Sequence, residues 1–247
     1  MFEFLKPKRH NVMAAIRAVQ KVSPHMQRIT LGGPQIEAFL AVAQVNTPGA
    51  WVKVSLPTGE RRAYTIARYD TAAGTLDLEI VIHQSSGITG PGSTWAQQVK
   101  VGDHVGIAGP RDGRYRLASD ATWILLAGDM TALPAMQAIA RVLPSTLVGE
   151  MYVEVATPAD RQTVESGASL HAIWLPAQGK PCATLNEVLM KKTLPTGPGY
   201  IWIAGESAAT HALRVHYLQS VGVEPKRLSA LGYWKVGEAA HRDRSGR

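Results

Sequence analysis

The sequence predicts a two-domain β + α/β protein, with an antiparallel β-barrel up to about residue 119 and a parallel-sheet α/β domain over residues 120–247. Three observations carry this prediction. Short alternating strands cut by Gly and Pro fill the first half. Near residue 120 the rhythm changes to continuous apolar strands separated by amphipathic helices. A chain of 247 residues with 45% hydrophobic content is also long and apolar enough for two ordinary domains.

In the first half, residues 12–31 read as two short strands around Ser23-Pro24, with Met26, Ile29 and Leu31 supplying apolar side chains. Residues 51–56 form another, ended by Pro57-Thr-Gly59. The stretch around Arg62 and the alternating run from Leu76 to His83 follow, divided by a turn at Ala73-Gly74. A helix is expected from Pro91 to about Lys100, then a strand over residues 105–110. In the second half, residues 123–127, 148–155, 171–175, 200–204 and 228–231 read as buried strands. Helical patterns run through Leu133, Met136, Ile139 and Val142, over residues 185–192 and over residues 208–220. Residues 157–169 read as a polar connection.

Composition narrows the function. The single cysteine, Cys182, excludes an internal disulfide and cannot by itself ligate an iron–sulfur cluster or a four-ligand zinc. His211 and His216 are five apart and share a helix face poorly, and no other cluster has metal-ligand spacing, so no structural metal is expected. The formal charge of +7 favours anionic partners. The basic residues form no long stripe, and the densest group is the tail from His241 to Arg247, which argues against nucleic acid. No apolar run reaches roughly eighteen residues, and Met1-Phe-Glu-Phe-Leu-Lys6 lacks the order of a signal peptide. A cytoplasmic monomer without membrane insertion is expected.

Two stretches concentrate the chemistry. In Arg62-Ala-Tyr-Thr65 a strand would put Arg62, a planar fork suited to phosphate, on one face with Tyr64, while Thr65 points to the other. From Ile82 and His83 a strand runs through a small-residue turn into a helix near Pro91, where Gly92, Ser93 and Thr94 sit at a helix start suited to phosphate. Open parallel sheets bind ligands at the carboxyl ends of their strands, which singles out Gly128, Asp129, Thr131, Gly205 and Glu206.

Together with Leu126-Ala-Gly-Asp-Met-Thr-Ala-Leu-Pro-Ala135, Ala204-Gly-Glu-Ser207 and Leu231-Gly-Tyr-Trp-Lys235, these words resemble the siderophore-interacting proteins, the ferric-siderophore reductases of the ferredoxin-reductase superfamily. The resemblance spans nearly the whole chain. It implies an FAD-binding barrel of ferredoxin-reductase type, a nicotinamide-binding second domain, NADPH or NADH as electron donor, and a ferric siderophore or other ferric chelate as acceptor. A flavin would reconcile a donor of two electrons with ferric iron, which takes one. In those terms Arg62 faces the pyrophosphate, Tyr64 packs on the ring or ribityl region, Thr65 is the catalytic hydroxyl near the reactive ring edge, and His83 borders the flavin. Gly92, Ser93 and Thr94 hold phosphate, and Trp234 covers the ring. Lys53 and Lys235 are candidates for receiving the anionic chelate.

Two positions depart from the family pattern. Met130 stands where relatives usually carry an acidic residue, and Ala67 stands where they commonly carry an arginine. Arg161 is a candidate for a 2′-phosphate contact. Two alternatives stay open: a reductase serving a protein acceptor such as ferredoxin or flavodoxin, and a flavin-containing siderophore-binding module without turnover.

Overall fold

The computed structural model describes residues 10–82 and 90–238. Six antiparallel strands close into a barrel: β1 (His10–Ser23), β2 (Met26–Gly32), β3 (Trp51–Ser55), β4 (Arg61–Asp70), β5 (Thr75–Val81) and β6 (His104–Arg111), in the order β1-β2-β5-β4-β3-β6. Alternation drives the closure. In β3, Val52 and Val54 are buried while Trp51, Lys53 and Ser55 stay half-exposed on the other face. The barrel interior is filled by Ile16, Ile29, Leu31, Leu76, Leu78 and Ile107 with those valines.

Among the described residues, two α-helices complete this half. Helix α1 (Pro34–Leu40) has no counterpart in the sequence-based expectation; it starts on a proline after Gly33, whose φ of 111° is open to glycine, and drives Ile36, Phe39 and Leu40 into the barrel core. Helix α2 (Pro91–Gln98) starts where expected and packs Trp95 and Ala96 into the same core.

The second half is a five-stranded, wholly parallel sheet in the order β11-β10-β7-β8-β9. Its strands are β7 (Trp123–Asp129), β8 (Val148–Val155), β9 (Ser169–Pro176), β10 (Gly199–Glu206) and β11 (Leu228–Trp234). Every residue of β7 and β10 is buried, as continuous apolar runs require. Helix α3 (Leu133–Ala140) covers the face of Ile124 and Leu126. Helices α4 (Ala183–Met190) and α5 (Ser207–Val215) cover the face of Trp123, Leu125 and Ala127. The chain order reverses between β7 and β10, and that switch point is where such sheets take ligands.

The two halves are joined by specific contacts on either side of the boundary proposed at residue 119. Met26 of β2 belongs to the same buried cluster as Leu126, Met136 and Met151. Asp160, in the polar connection after β8, is fully buried and accepts hydrogen bonds from the barrel's Ser23 Oγ at 2.8 Å, His25 N at 3.0 Å and His25 Nδ1 at 2.8 Å. Thr157 N and Oγ1 close its shell at 3.0 and 2.9 Å. A bulge between Ile66 and Arg68 breaks the alternation of β4. Ala67 is buried there with its carbonyl accepting from Arg141, and Arg68 pairs with Glu165 at 2.8 Å.

Among the described residues, no helix is long and apolar enough to cross a membrane, and no group of three or more His, Cys, Asp or Glu could hold a metal ion.

Candidate active site

Strand register decides which way the Arg62 stretch faces. The pairs Val54–Arg62 and Val52–Tyr64 put Arg62 and Tyr64 on the side of the barrel's buried valines, whereas Trp51–Thr65 and Lys53–Ala63 put Thr65 and Lys53 on the other side. Helix α2 closes over the first pair. A Cβ on Gly92 would stand 2.1 Å from the Tyr64 hydroxyl oxygen and 3.8 Å from Arg62 Cγ, so only glycine lets the helix come this near. Tyr64 also meets Trp95 of α2, ring centroids 6.4 Å apart at 31°. Burial pushes the Tyr64 phenol well up, against the opposing pull of Arg62, so it remains a neutral donor.

The start of α2 has features that suit an anion. Its N-cap is Gly90, with no side chain to cap the first turn, and that turn contains no acidic residue. Ser93 is buried and Thr94 half-buried. Arg62 is held by Glu60, Nη2 to Oε2 at 2.6 Å, a partner the sequence reading did not identify. A guanidinium, a phenol and small hydroxyl residues at a helix start, with a close approach that only glycine permits, fit a ligand combining phosphate and a flat ring. The residues present therefore suit FAD. Ile82 belongs to the barrel core and donates its N–H to the His25 carbonyl at 2.9 Å. His83 lies outside the described residues.

On the opposite face, Thr65 is buried and its side chain hydrogen-bonds the Tyr233 hydroxyl of β11. Tyr233, given no role by the sequence reading, also packs edge-on against Trp202 at 6.3 Å. The next residue, Trp234, donates Nε1–H to Asp129 Oδ2 at 2.8 Å. Adjacent residues of β11 thus tie Thr65 of the barrel and Asp129 of the sheet to one segment. Lys235 follows and is ion-paired to Glu238; Lys53 lies half-buried on the Thr65 face.

The sheet's carboxyl rim differs from a phosphate cradle. A Cβ on Gly128 would meet the Ala204 carbonyl oxygen at 2.4 Å, and one on Gly205 would meet Asp129 Oδ2 at 2.8 Å, so these glycines make room for the protein itself. Asp129 Oδ1 accepts from Thr131 N at 2.8 Å and from the Thr131 hydroxyl. Glu206 caps α5 through Ala209 N at 2.9 Å. Glu154, at the end of β8 and not singled out from sequence, accepts from Cys182 N at 2.6 Å and Leu185 N at 3.0 Å at the start of α4. Burial raises the Glu154 carboxyl and pushes the Cys182 thiol well up; Asp129, 3.5 Å from the sulfur, adds to the latter. Met130 is buried in the sheet core. At this rim Asp129, Glu154 and Glu206 each accept hydrogen bonds from the chain's own donors.

A closed antiparallel barrel followed by a parallel sheet is the architecture of the ferredoxin-reductase class. A ferredoxin reductase of carbazole 1,9a-dioxygenase has this fold, with a TM-score of 0.67 and 18% identity over 91% of this chain and 68% of that one. Within that class, the family model for the siderophore-interacting FAD-binding domain matches residues 57–114, and the model for siderophore-interacting protein matches residues 121–237. The chain belongs to the siderophore-interacting protein family. Among its relatives is the ferric vibriobactin reductase ViuB of Vibrio cholerae, 27% identical over 90% of each chain. Solved structures that resemble it include a siderophore utilization protein from T. fusca, with TM-score 0.80 and 27% identity over 95% of this chain and 96% of that one. The siderophore-interacting protein SipS from Aeromonas hydrophila has TM-score 0.78 and 27% identity over 93% of both chains.

Proposed function

We propose that this protein is an FAD-dependent reductase of ferric siderophores that takes electrons from NADPH or NADH and releases ferrous iron in the cytoplasm. The observation that carries it is the convergence of Arg62 and Tyr64 on the first turn of α2 across Gly92. Arg62 and the start of α2 would hold the FAD pyrophosphate, and Tyr64 would pack on the ring or ribityl region. Bound FAD supplies the exchange between a two-electron donor and a one-electron acceptor. The Thr65 hydroxyl, fixed by Tyr233, would border the ring on the side facing the sheet, and Trp234, oriented by Asp129, would shield it.

Lys53 and Lys235 are proposed to receive the anionic chelate, with the Lys235 charge partly offset by Glu238. Ferric iron is held by hard oxygen donors, and lowering its charge weakens those bonds. Its removal therefore requires an open, basic approach rather than a protein iron site. A nicotinamide donor is supported by the parallel sheet and its switch point. A second reading, a flavin-containing binding module without turnover, is favoured by the buried Met130 and the filled rim.

The absorbance spectrum of the purified protein tests the flavin first, and a colourless preparation that takes up no added FAD would end the proposal. With FAD bound, rapid mixing with NADPH or NADH followed by ferric chelate separates the two readings. Bleaching and then ferrous iron support the reductase; no bleaching with either donor supports the binding module. Arg62→Ala should weaken FAD retention by roughly 1.5–3 kcal/mol, measured as flavin occupancy after dilution.

A further inference from the structure

The switch point between β7 and β10 presents three helix starts, and at each of them the chain's own carboxylates or backbone oxygens engage some of the donors. At α3, Thr131 N goes to the Asp129 carboxylate, Ala132 N to the Asp129 carbonyl at 3.0 Å and Ala135 N to the Ala132 carbonyl at 3.0 Å, while Pro134 has no N–H to give. At α4, Glu154 takes Cys182 N and Leu185 N, and Ala183 N goes to the Lys180 carbonyl at 3.1 Å. At α5, Glu206 takes Ala209 N with one oxygen and Val236 N with the other at 3.4 Å. Asp129, Glu154 and Glu206 are all buried, each at the carboxyl end of its own strand.

We propose that Asp129, Glu154 and Glu206 are specificity-determining residues that close these helix starts to the phosphates of a dinucleotide, so that any nicotinamide donor is held here without its pyrophosphate. The proposal deepens the reductase reading and rests on it for the relevance of the site. Two physical effects act together. An incoming phosphate finds several of the donors already paired, Thr131 N, Cys182 N, Leu185 N and Ala209 N among them, and it must approach buried carboxylates of the same sign, which water screens poorly. The adenosine diphosphate half of NADH or NADPH then adds little to binding, and the 2′-phosphate gives no purchase at this rim.

Calorimetric titration of the FAD-saturated protein with ADP-ribose tests this without depending on turnover. Saturating the protein with FAD keeps ADP-ribose out of the flavin's own phosphate seat. The wild type should show no saturation below millimolar ADP-ribose, and Glu206→Gln should strengthen binding at least fivefold, with Glu154→Gln as a second variant if the first folds poorly. Wild-type binding tighter than about 100 μM overturns the proposal, as does weak binding that neither variant improves. Failure to bind FAD is a separate result that strikes the reductase reading alone, because the ADP-ribose titration can still be run on the protein as purified.

Discussion

Helix α2 in the barrel and helices α4 and α5 at the sheet rim share one backbone feature and meet opposite partners. Each exposes the N–H groups and positive dipole end that favour an anion. At α2 the cap is Gly90, the first turn has no acid, and the charged side chain packed against it is Arg62. At α4 and α5 the anion is internal, supplied by Glu154 and Glu206. On the proposed reading, a helix start would recruit an external phosphate only where the fold does not already provide the negative charge, and the deciding residue can be remote in sequence.

The largest effect expected from disturbing this contrast is at Gly92. Gly92→Val would force Tyr64 or the helix aside, since even a Cβ falls 2.1 Å from the Tyr64 oxygen. FAD affinity should fall by about a hundredfold or more, on the order of 3 kcal/mol, in a flavin titration followed by fluorescence. Unchanged affinity would mean that the flavin is not seated against α2.

Next comes the clamp that lets the two regions act as a unit. Asp160→Ala removes the buried acceptor of Ser23 and His25 and should cost on the order of 2–3 kcal/mol of stability, read by chemical denaturation. Burial works against the charge on Asp160, but hydrogen bonds from His25, Ser23 and Thr157 outweigh it and hold the carboxyl below the usual aspartate range. A lowered carboxyl stabilises the fold above the unfolded value, about 3.9, and that contribution fades as pH drops through the folded value. The gap between wild type and Asp160→Asn should be full at pH 7 and shrink below about pH 4. A gap independent of pH would show that Asp160 acts through shape rather than charge.

The barrel and sheet were legible because period two and continuous apolar runs are distinct patterns, as in β3 against β7. Helix α1 was not, since seven residues anchored by Ile36, Phe39 and Leu40 are too few to establish a helical period. Arg62 and Gly92 were singled out by residue type and by the helix start after Pro91, but β5 lies between them in the chain, and their close approach comes only with folding. At the rim, sequence singles out Gly128 and Gly205 only by their place at the carboxyl ends of strands, and it does not show that the Ala204 carbonyl and the Asp129 carboxylate stand against them. Glu154 gave no local signal either, and Thr157-Pro-Ala-Asp160 carries only a capping box, which does not reveal the contact with the barrel. Their roles come from Cys182 and from Ser23 and His25, partners supplied by other elements only once the chain has folded.

The smallest expected effect is at Glu60, and it sharpens the contrast most finely because it is an acid on the barrel side. Glu60 is 42% exposed and holds Arg62 at 2.6 Å, so it competes with a phosphate for the same guanidinium. A half-exposed pair with an acid open to solvent is worth little, about 1 kcal/mol, whereas phosphate offers Arg62 a charge-assisted, bidentate partner. Glu60→Gln should therefore tighten FAD by no more than about fivefold, well short of the change at Gly92 and opposite in sign. A weakening instead would show that Glu60 aims Arg62 at the pyrophosphate rather than competing for it. The difference from Glu206 would then lie in where each carboxylate points its partner.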